Sequence, residues 1–436
     1  MMKVGAMPDF KTVRGMRDFL PEEARLMRHI EARARRVAEL CGFREIMTPV
    51  MESYELLAAK AGEEVRLRMY AFKDLGGRMV ALRPEFTPSL ARLVATTLKN
   101  EPKPLRLFCV GSAYRYDEPQ RGRYREFWQS DFELVGSNKP EADAEIVMLT
   151  NSLMKAAGLR NCIFKIGHVG VLRGILVQEG MKEKDQNEIM QLMDKKQYDD
   201  ALQALKDKKA SEKCSVTFQE LIRLKGGKVT AVIERMKESV RSYEKAVGAV
   251  ENLERILLLV SDSRSGIDMA VEAGFARGLE YYTGMIFEVY VPELDVALGG
   301  GGRYDKLVEL FGGESTPAVG VAHGLDRIML AMQLQKTGLS AKEEKRVVIV
   351  PVKEELKNEA IKIARMLREA DIPAEVEVMG RKMTAALEDA DRRKVDYVII
   401  IGKRELEQGA VVLRDLKKRE QNNVKIDSII EMIKAK

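Results

Sequence analysis

The segment running from Tyr114 to Glu133 constrains the fold more than any other stretch of the chain. It reads as two strands joined by a charged loop. The second strand alternates: Tyr124, Trp128, Phe132 and Leu134 fall on one side, and Gln129, Asp131 and Glu133 on the other. One side is core. The other carries the polar groups and is expected beside Arg115 of the partner strand. An acidic patch edged by an arginine suits a cationic, zwitterionic ligand next to a phosphate. The same alternation fits a half-exposed hairpin with a solvated face, and spacing alone leaves both readings open.

At 436 residues the chain has room for two or three domains. With 45% hydrophobic and 32% charged residues it reads as an ordinary soluble globular protein. A net charge of +6 from 73 basic and 67 acidic residues permits nucleic-acid binding without demanding it. Cys41, Cys109, Cys162 and Cys214 are far apart and form no C-x-x-C pair, which argues against zinc or a disulfide framework. His29, His168 and His323 lie near no cysteine, so a His-rich metal site is not expected. No basic-then-apolar signal opens the chain and no apolar run approaches a membrane span, so the expected compartment is the cytoplasm.

Pro21-Glu-Glu, with proline and acids in a first turn, opens a helix expected to reach Leu40, where Cys41-Gly-Phe stops it. Arg44–Val50 reads as a strand holding Pro49, which places it at an edge or an interface. Gly76-Gly77 between two apolar stretches predicts a hairpin ending in Arg83-Pro-Glu-Phe-Thr87. A helix should follow, with Thr87 as its cap and Pro88 at its first position. Residues 171–258 are charged and helical, like an insertion between two pieces of a sheet; strand texture returns at Ile267–Ala276 and Met285–Val291. After a polar linker at Leu339–Lys345, strands and helices alternate, which predicts a small three-layer α/β domain. That domain has neither G-x-G-x-x-G nor a P-loop.

The Tyr114–Glu133 segment resembles motif 2 of the class II aminoacyl-tRNA synthetases, in the form found in histidyl-tRNA synthetases. Arg277-Gly-Leu-Glu-Tyr-Tyr-Thr-Gly284 resembles the histidine-binding peptide peculiar to that family, and Gly324-Leu-Asp-Arg327, opening an apolar helix, resembles motif 3. Order and spacing agree over nearly the whole chain. The resemblance implies an α+β fold: an antiparallel-sheet catalytic core with a helical insertion, followed by an α/β anticodon-binding domain. The boundaries it implies are a core in residues 1–170 and 259–338, the insertion at 171–258, and the anticodon domain at 346–436. It also implies a homodimer through the motif 1 region around Pro49.

Activation of an amino acid joins two anions, its carboxylate and the α-phosphate of ATP, so the site needs fixed positive charge rather than a nucleophile–base pair. By the resemblance Arg115 holds the α-phosphate, Arg327 contacts the γ-phosphate, and Arg277 stands near the α-phosphate and substrate carboxylate, with Arg123 also on ATP. Read singly, each is an ordinary surface arginine. The histidine pocket is assigned to Glu85, Phe86, Thr87, Gln129, Glu133, Arg277, Tyr281 and Tyr282, a set of acceptors with an aromatic wall. The run Gly299–Gly302 is expected to floor it. Gln120 and Arg121, in the motif 2 loop, are assigned to the tRNA acceptor stem.

The implied substrates are ATP with its Mg2+, L-histidine and tRNA(His), and no metal site built from protein ligands alone is expected. Glu280 replaces a usual Asp, Asp326 a usual Glu, and Phe86 a frequent glycine. Two rival readings are a catalytically inactive paralogue serving histidine biosynthesis as a regulatory subunit, and a tRNA-sensing module. An intact Arg277 peptide and a domain after the linker speak against the first, and the absence of kinase motifs against the second.

Overall fold

A computed structural model of the chain describes residues 10–277, 280–337 and 345–435. Two compact units emerge, Met1–Leu339 and Ser340–Lys436. Of the expected linker only Lys345 lies within the described residues. Among these residues no helix is long and apolar enough to cross a membrane.

The larger unit is built on a nine-stranded sheet. From one edge its strands are Arg44–Glu45, Leu105–Tyr114, Glu126–Val135, Ala318–Gly324, Gly299–Arg303, Met285–Tyr290, Ile163–His168, Asp268–Glu272 and Lys225–Gly226. Neighbours run antiparallel except Arg44–Glu45 on Leu105–Tyr114 and Ile163–His168 on Asp268–Glu272. The helix Pro21–Leu40 forms as expected and buries a stripe at Leu26, Ile30, Ala34 and Val37. It packs with Pro140–Ala156 and Leu325–Gln335 against the sheet.

Two expectations change. The strand at Arg44–Val50 is only Arg44–Glu45; it lies at the edge, as a proline-bearing segment must, but Pro49 falls beyond it. The helix Thr87–Ala95 begins one residue early, with Phe86 rather than Thr87 at the cap position and no side-chain cap bond. The hydroxyl of Thr87 is instead engaged by an acid across the sheet, described below. Residues 171–258 are mainly helical, as expected. Their helices Val169–Gln178 and Glu244–Asp262 pack on each other and on the sheet, and all share one hydrophobic core with it.

The smaller unit carries a five-stranded sheet ordered Ala374–Val376, Val347–Pro351, Tyr397–Ile401, Ala410–Asp415 and Glu420–Lys425. The first three strands are parallel and the last two antiparallel. Alternation sorts the core into two layers. Ile349 and Ile399 meet Ile363 and Leu367 of the helix Lys357–Glu369, while Val348 and Val398 meet Ala386 and Ala390 of the helix Met383–Arg392.

Candidate active site

A cavity of about 350 Å³ lies in the larger unit, lined by the ends of the hairpin strands, the peptide after Arg277 and the start of the helix Leu325–Gln335. Its floor exists because its neighbours are small. In register, Gln129, Asp131 and Glu133 stand opposite Gly324, Ala322 and Gly320. A Cβ at Gly320 would fall 1.5 Å from Oε2 of Glu133, and one at Gly300 would fall 2.1 Å from Nη1 of Arg277. The glycines thus make room for the two side chains on which the site is centred. The polar face is therefore not solvated: Gln129, Asp131 and Glu133 are all buried.

One wall is acidic. Glu133 accepts hydrogen bonds from Thr87 Oγ1 at 2.8 Å and from the Tyr304 hydroxyl. Burial pushes its carboxyl up to about 7, against those two hydroxyl donors and with the help of Glu85. Glu85 is also raised by burial, opposed by Arg115 and Arg277. It receives Tyr281 Oη at 3.5 Å and lies 3.6 Å from Arg115. Asp131, fully buried, is raised well above the usual range by burial and by Glu133 and Glu85. In the cavity lining, Oε1 of Glu85 and Oε1 of Gln129 lack hydrogen-bond donors. Buried acceptors left in this state call for a ligand rich in N–H groups.

Next to these acids the lining is cationic. Arg327, in the first turn of its helix, donates to the carbonyls of Gly122 at 3.1 Å and Ala297 at 2.8 Å. Burial, then Arg123 and Arg115, lower its pKa to about 10, the mark of several positive charges gathered without enough negative ones. Arg115 is aimed by a bond to the Pro84 carbonyl at 2.9 Å. Arg277 donates to the Phe287 carbonyl at 3.2 Å and lies 3.9 Å from Glu288. Burial opposes its charge, but Tyr282, Glu288, Tyr281 and Asp194 together hold it above the ordinary arginine range.

Ten of the assigned residues line this cavity: Glu85, Thr87, Arg115, Arg123, Gln129, Glu133, Arg277, Tyr281, Tyr282 and Arg327. Phe86 does not. Its ring lies in the core under the Arg83 guanidinium at 4.0 Å, so it can serve the site only through its backbone. Gln120 and Arg121 are exposed at the tip of the hairpin loop, where Gln120 pairs with Arg123 around a tight turn. None of the three histidines lines the cavity, and among the described residues no group of three or more His, Cys, Asp or Glu could hold a metal ion.

Tyr304 lines the cavity and went unassigned. It follows the glycine strand Gly299–Arg303 directly, so the signal was its place in a segment already singled out. Asp131 shares the buried face with Gln129 and Glu133 but does not line the cavity. Asp326 is held by Arg17 and by the Trp128 amide at 2.6 Å. It therefore braces the helix start of Arg327 against the strand Glu126–Val135.

The family profile of histidyl-tRNA synthetases matches residues 15–328, and that of an anticodon-binding domain matches residues 346–436. The histidine–tRNA ligase of Methanocaldococcus jannaschii is 43% identical over 422 residues, covering 96% of this chain and 98% of its own. The apo histidyl-tRNA synthetase of S. aureus superposes with a TM-score of 0.71 at 25% identity, over 97% of this chain and 99% of its own. A Bacillus halodurans protein described as an ATP phosphoribosyltransferase regulatory subunit/histidyl-tRNA synthetase superposes at 0.75 and 27% identity, covering 87% of this chain and 96% of its own. The motifs, the cavity they build and these likenesses agree: the chain belongs to the histidyl-tRNA synthetase family, with an α+β class II core and a C-terminal anticodon-binding domain.

Proposed function

We propose that the chain is a histidine–tRNA ligase that makes histidyl-adenylate in this cavity and passes the histidyl group to tRNA(His). The observation that carries the reading is a single cavity lined by both acids and arginines, Glu85 and Glu133 together with Arg115, Arg277 and Arg327.

L-Histidine fits the acid wall. Its ammonium and ring N–H groups would supply the donors that Glu85 and Gln129 lack. Tyr281 and Tyr282, with ring centroids 4.8 Å apart, wall off the ring. ATP fits the arginine wall, with Arg115 at the α-phosphate, Arg327 at the γ-phosphate and Arg123 beside them. A carboxylate oxygen of histidine attacks the α-phosphorus, the bond to the bridging oxygen breaks, and pyrophosphate leaves with its charge held by arginines. Arg277 steadies the charge gathering at the reacting phosphate. The Mg2+ that accompanies ATP adds to that neutralisation. The chain's own part is to orient the two anions and hold them together.

The tRNA would enter past Gln120 and Arg121 at the loop tip and reach residues 346–436 with its anticodon. Leu40, Met47, Val50 and Met51 are exposed apolar side chains around the motif 1 segment, which fits a homodimer contact there. We place the core at residues 1–170 and 259–338, the helical insertion at 171–258, and the protein in the cytoplasm. Histidine-dependent ATP–pyrophosphate exchange tests the reading: exchange with histidine and with no other amino acid is expected, and its absence would overturn it.

A further inference from the structure

The helix Glu183–Asp194 buries Gln186, Ile189, Met190 and Met193 on one side. On the adjoining face Asn187, Gln191 and Asp194 recur at helical spacing. All three meet the segment that begins at Arg277. Nδ2 of Asn187 donates to Oε2 of Glu280 at 3.2 Å, and Nε2 of Gln191 donates to Oε1 of the same carboxylate at 3.3 Å. Asp194 lines the cavity with Arg277 and helps hold its charge. The Asn187 amide is itself oriented, because Nη2 of Arg173 donates to its Oδ1 at 2.9 Å. The helix that carries Arg173, Val169–Gln178, opens with the Val169 amide donating to the Gly284 carbonyl at 3.0 Å. Both ends of the Glu280–Gly284 stretch are thus tied to helices outside the sheet.

We infer that the helix Glu183–Asp194 is a positioning clamp, in which Asn187 and Gln191 grip Glu280 and so set where Arg277 stands over the reacting phosphate. This rests on the histidine-activating reading of the cavity and gives residues 171–258 a task in the first chemical step. The crevice between clamp and site, lined by Arg173, Asn187, Gln191, Arg277, Glu280 and Tyr282, holds about 10 Å³, too little for a substrate. The amides therefore act through Glu280 and never touch histidine or ATP. Two neutral donors, one on each carboxylate oxygen, fix direction without adding a charge that would compete with Arg277.

The test is histidine-dependent ATP–pyrophosphate exchange by the full chain, with a thermal melt of each variant. Asn187→Asp keeps shape but sets a carboxylate against Glu280. It should lower kcat roughly 10- to 100-fold by displacing Arg277, while the KM for ATP stays within about twofold. Adding Glu280→Gln exchanges donor for acceptor across the same contact, and exchange should return to within about threefold of wild type. Packing alone would not produce that recovery. Wild-type kcat in Asn187→Asp, or no recovery in the double variant, would overturn the clamp. If Asn187→Asp melts early, the double variant is judged against wild type directly: active supports the clamp, inactive overturns it. A wild-type chain that shows no histidine-dependent exchange would instead overturn the functional reading.

Discussion

The sheets of the two units are both buried, yet they bury different things. In the smaller unit, Val347–Pro351 and Tyr397–Ile401 present branched aliphatic side chains to helices on both faces. In the larger unit, Glu126–Val135 is buried from Gln129 onward, and among those residues are an amide and two acids. Burying a carboxylate without a full set of partners opposes folding by several kcal/mol before relaxation. A strand that accepts such a cost is shaped for what binds it. Among the described residues the smaller unit shows no buried side-chain polar atom without a hydrogen-bond partner.

Several experiments bear on that contrast. The largest effect is expected at Arg277. Arg277→Lys retains charge but loses the planar fork, and pyrophosphate exchange should fall by about 10²–10³-fold; an unimpaired variant would remove Arg277 from the reaction. Next, a chain ending near Thr337 keeps the larger unit's core intact. It should still form histidyl-adenylate and a dimer, while tRNA charging falls at least about tenfold through weaker tRNA binding. Equal charging by the shortened chain would break the division of labour between the sheets.

The acid wall predicts a pH dependence. Glu133, raised to about 7 by burial, accepts a hydrogen bond from histidine more strongly when ionised than when protonated. The kcat/KM for histidine should therefore fall as pH drops below 7. Glu133→Gln should raise the histidine requirement, leave ATP binding nearly unchanged, and remove the part of the acid limb due to this residue. Stability runs the opposite way. The folded chain holds more protons on Glu133 than the unfolded one between its ordinary 4.5 and about 7, so stability falls as pH rises through that window. Melts of the variant should lose this contribution.

The smallest effects separate shape from chemistry. Ile399→Val, in the aliphatic sheet, should cost about 0.5–1.5 kcal/mol and leave exchange untouched. Gly320→Ala adds a single methyl that meets Glu133. It should cost about 1–3 kcal/mol and, unlike the first change, raise the KM for histidine in the exchange assay.

Much of this site could be read in the sequence, because chemistry-bearing residues sit in compact motifs. Arg115, Gln129, Glu133, Arg277 and Arg327 all reach the one cavity. The small domain's strand and helix order also came through, since its alternation and helical stripes are strong local signals. Long-range partners did not. Thr87 looked like a helix cap, and only the folded sheet shows its hydroxyl meeting Glu133 across 46 positions of sequence. The contacts of Asn187 and Gln191 with Glu280 span about 90 positions and join an unremarkable charged helix to the peptide after Arg277. A local pattern carries periodicity and turn chemistry, but not which distant side chain fills a given space.

The missing side chain at Gly320 has an evolutionary meaning. The Glu133 carboxylate occupies the volume that any other residue at 320 would claim, so the two positions cannot drift independently. A lineage that enlarged residue 320 first would displace the acid before a shorter acid could compensate. One that shortened Glu133 first would leave Thr87 and Tyr304 without their acceptor. Either order passes through an impaired intermediate. The amino-acid preference of this pocket is therefore guarded by a pairwise epistatic barrier between neighbouring strands, and retuning it by single substitutions should be rare.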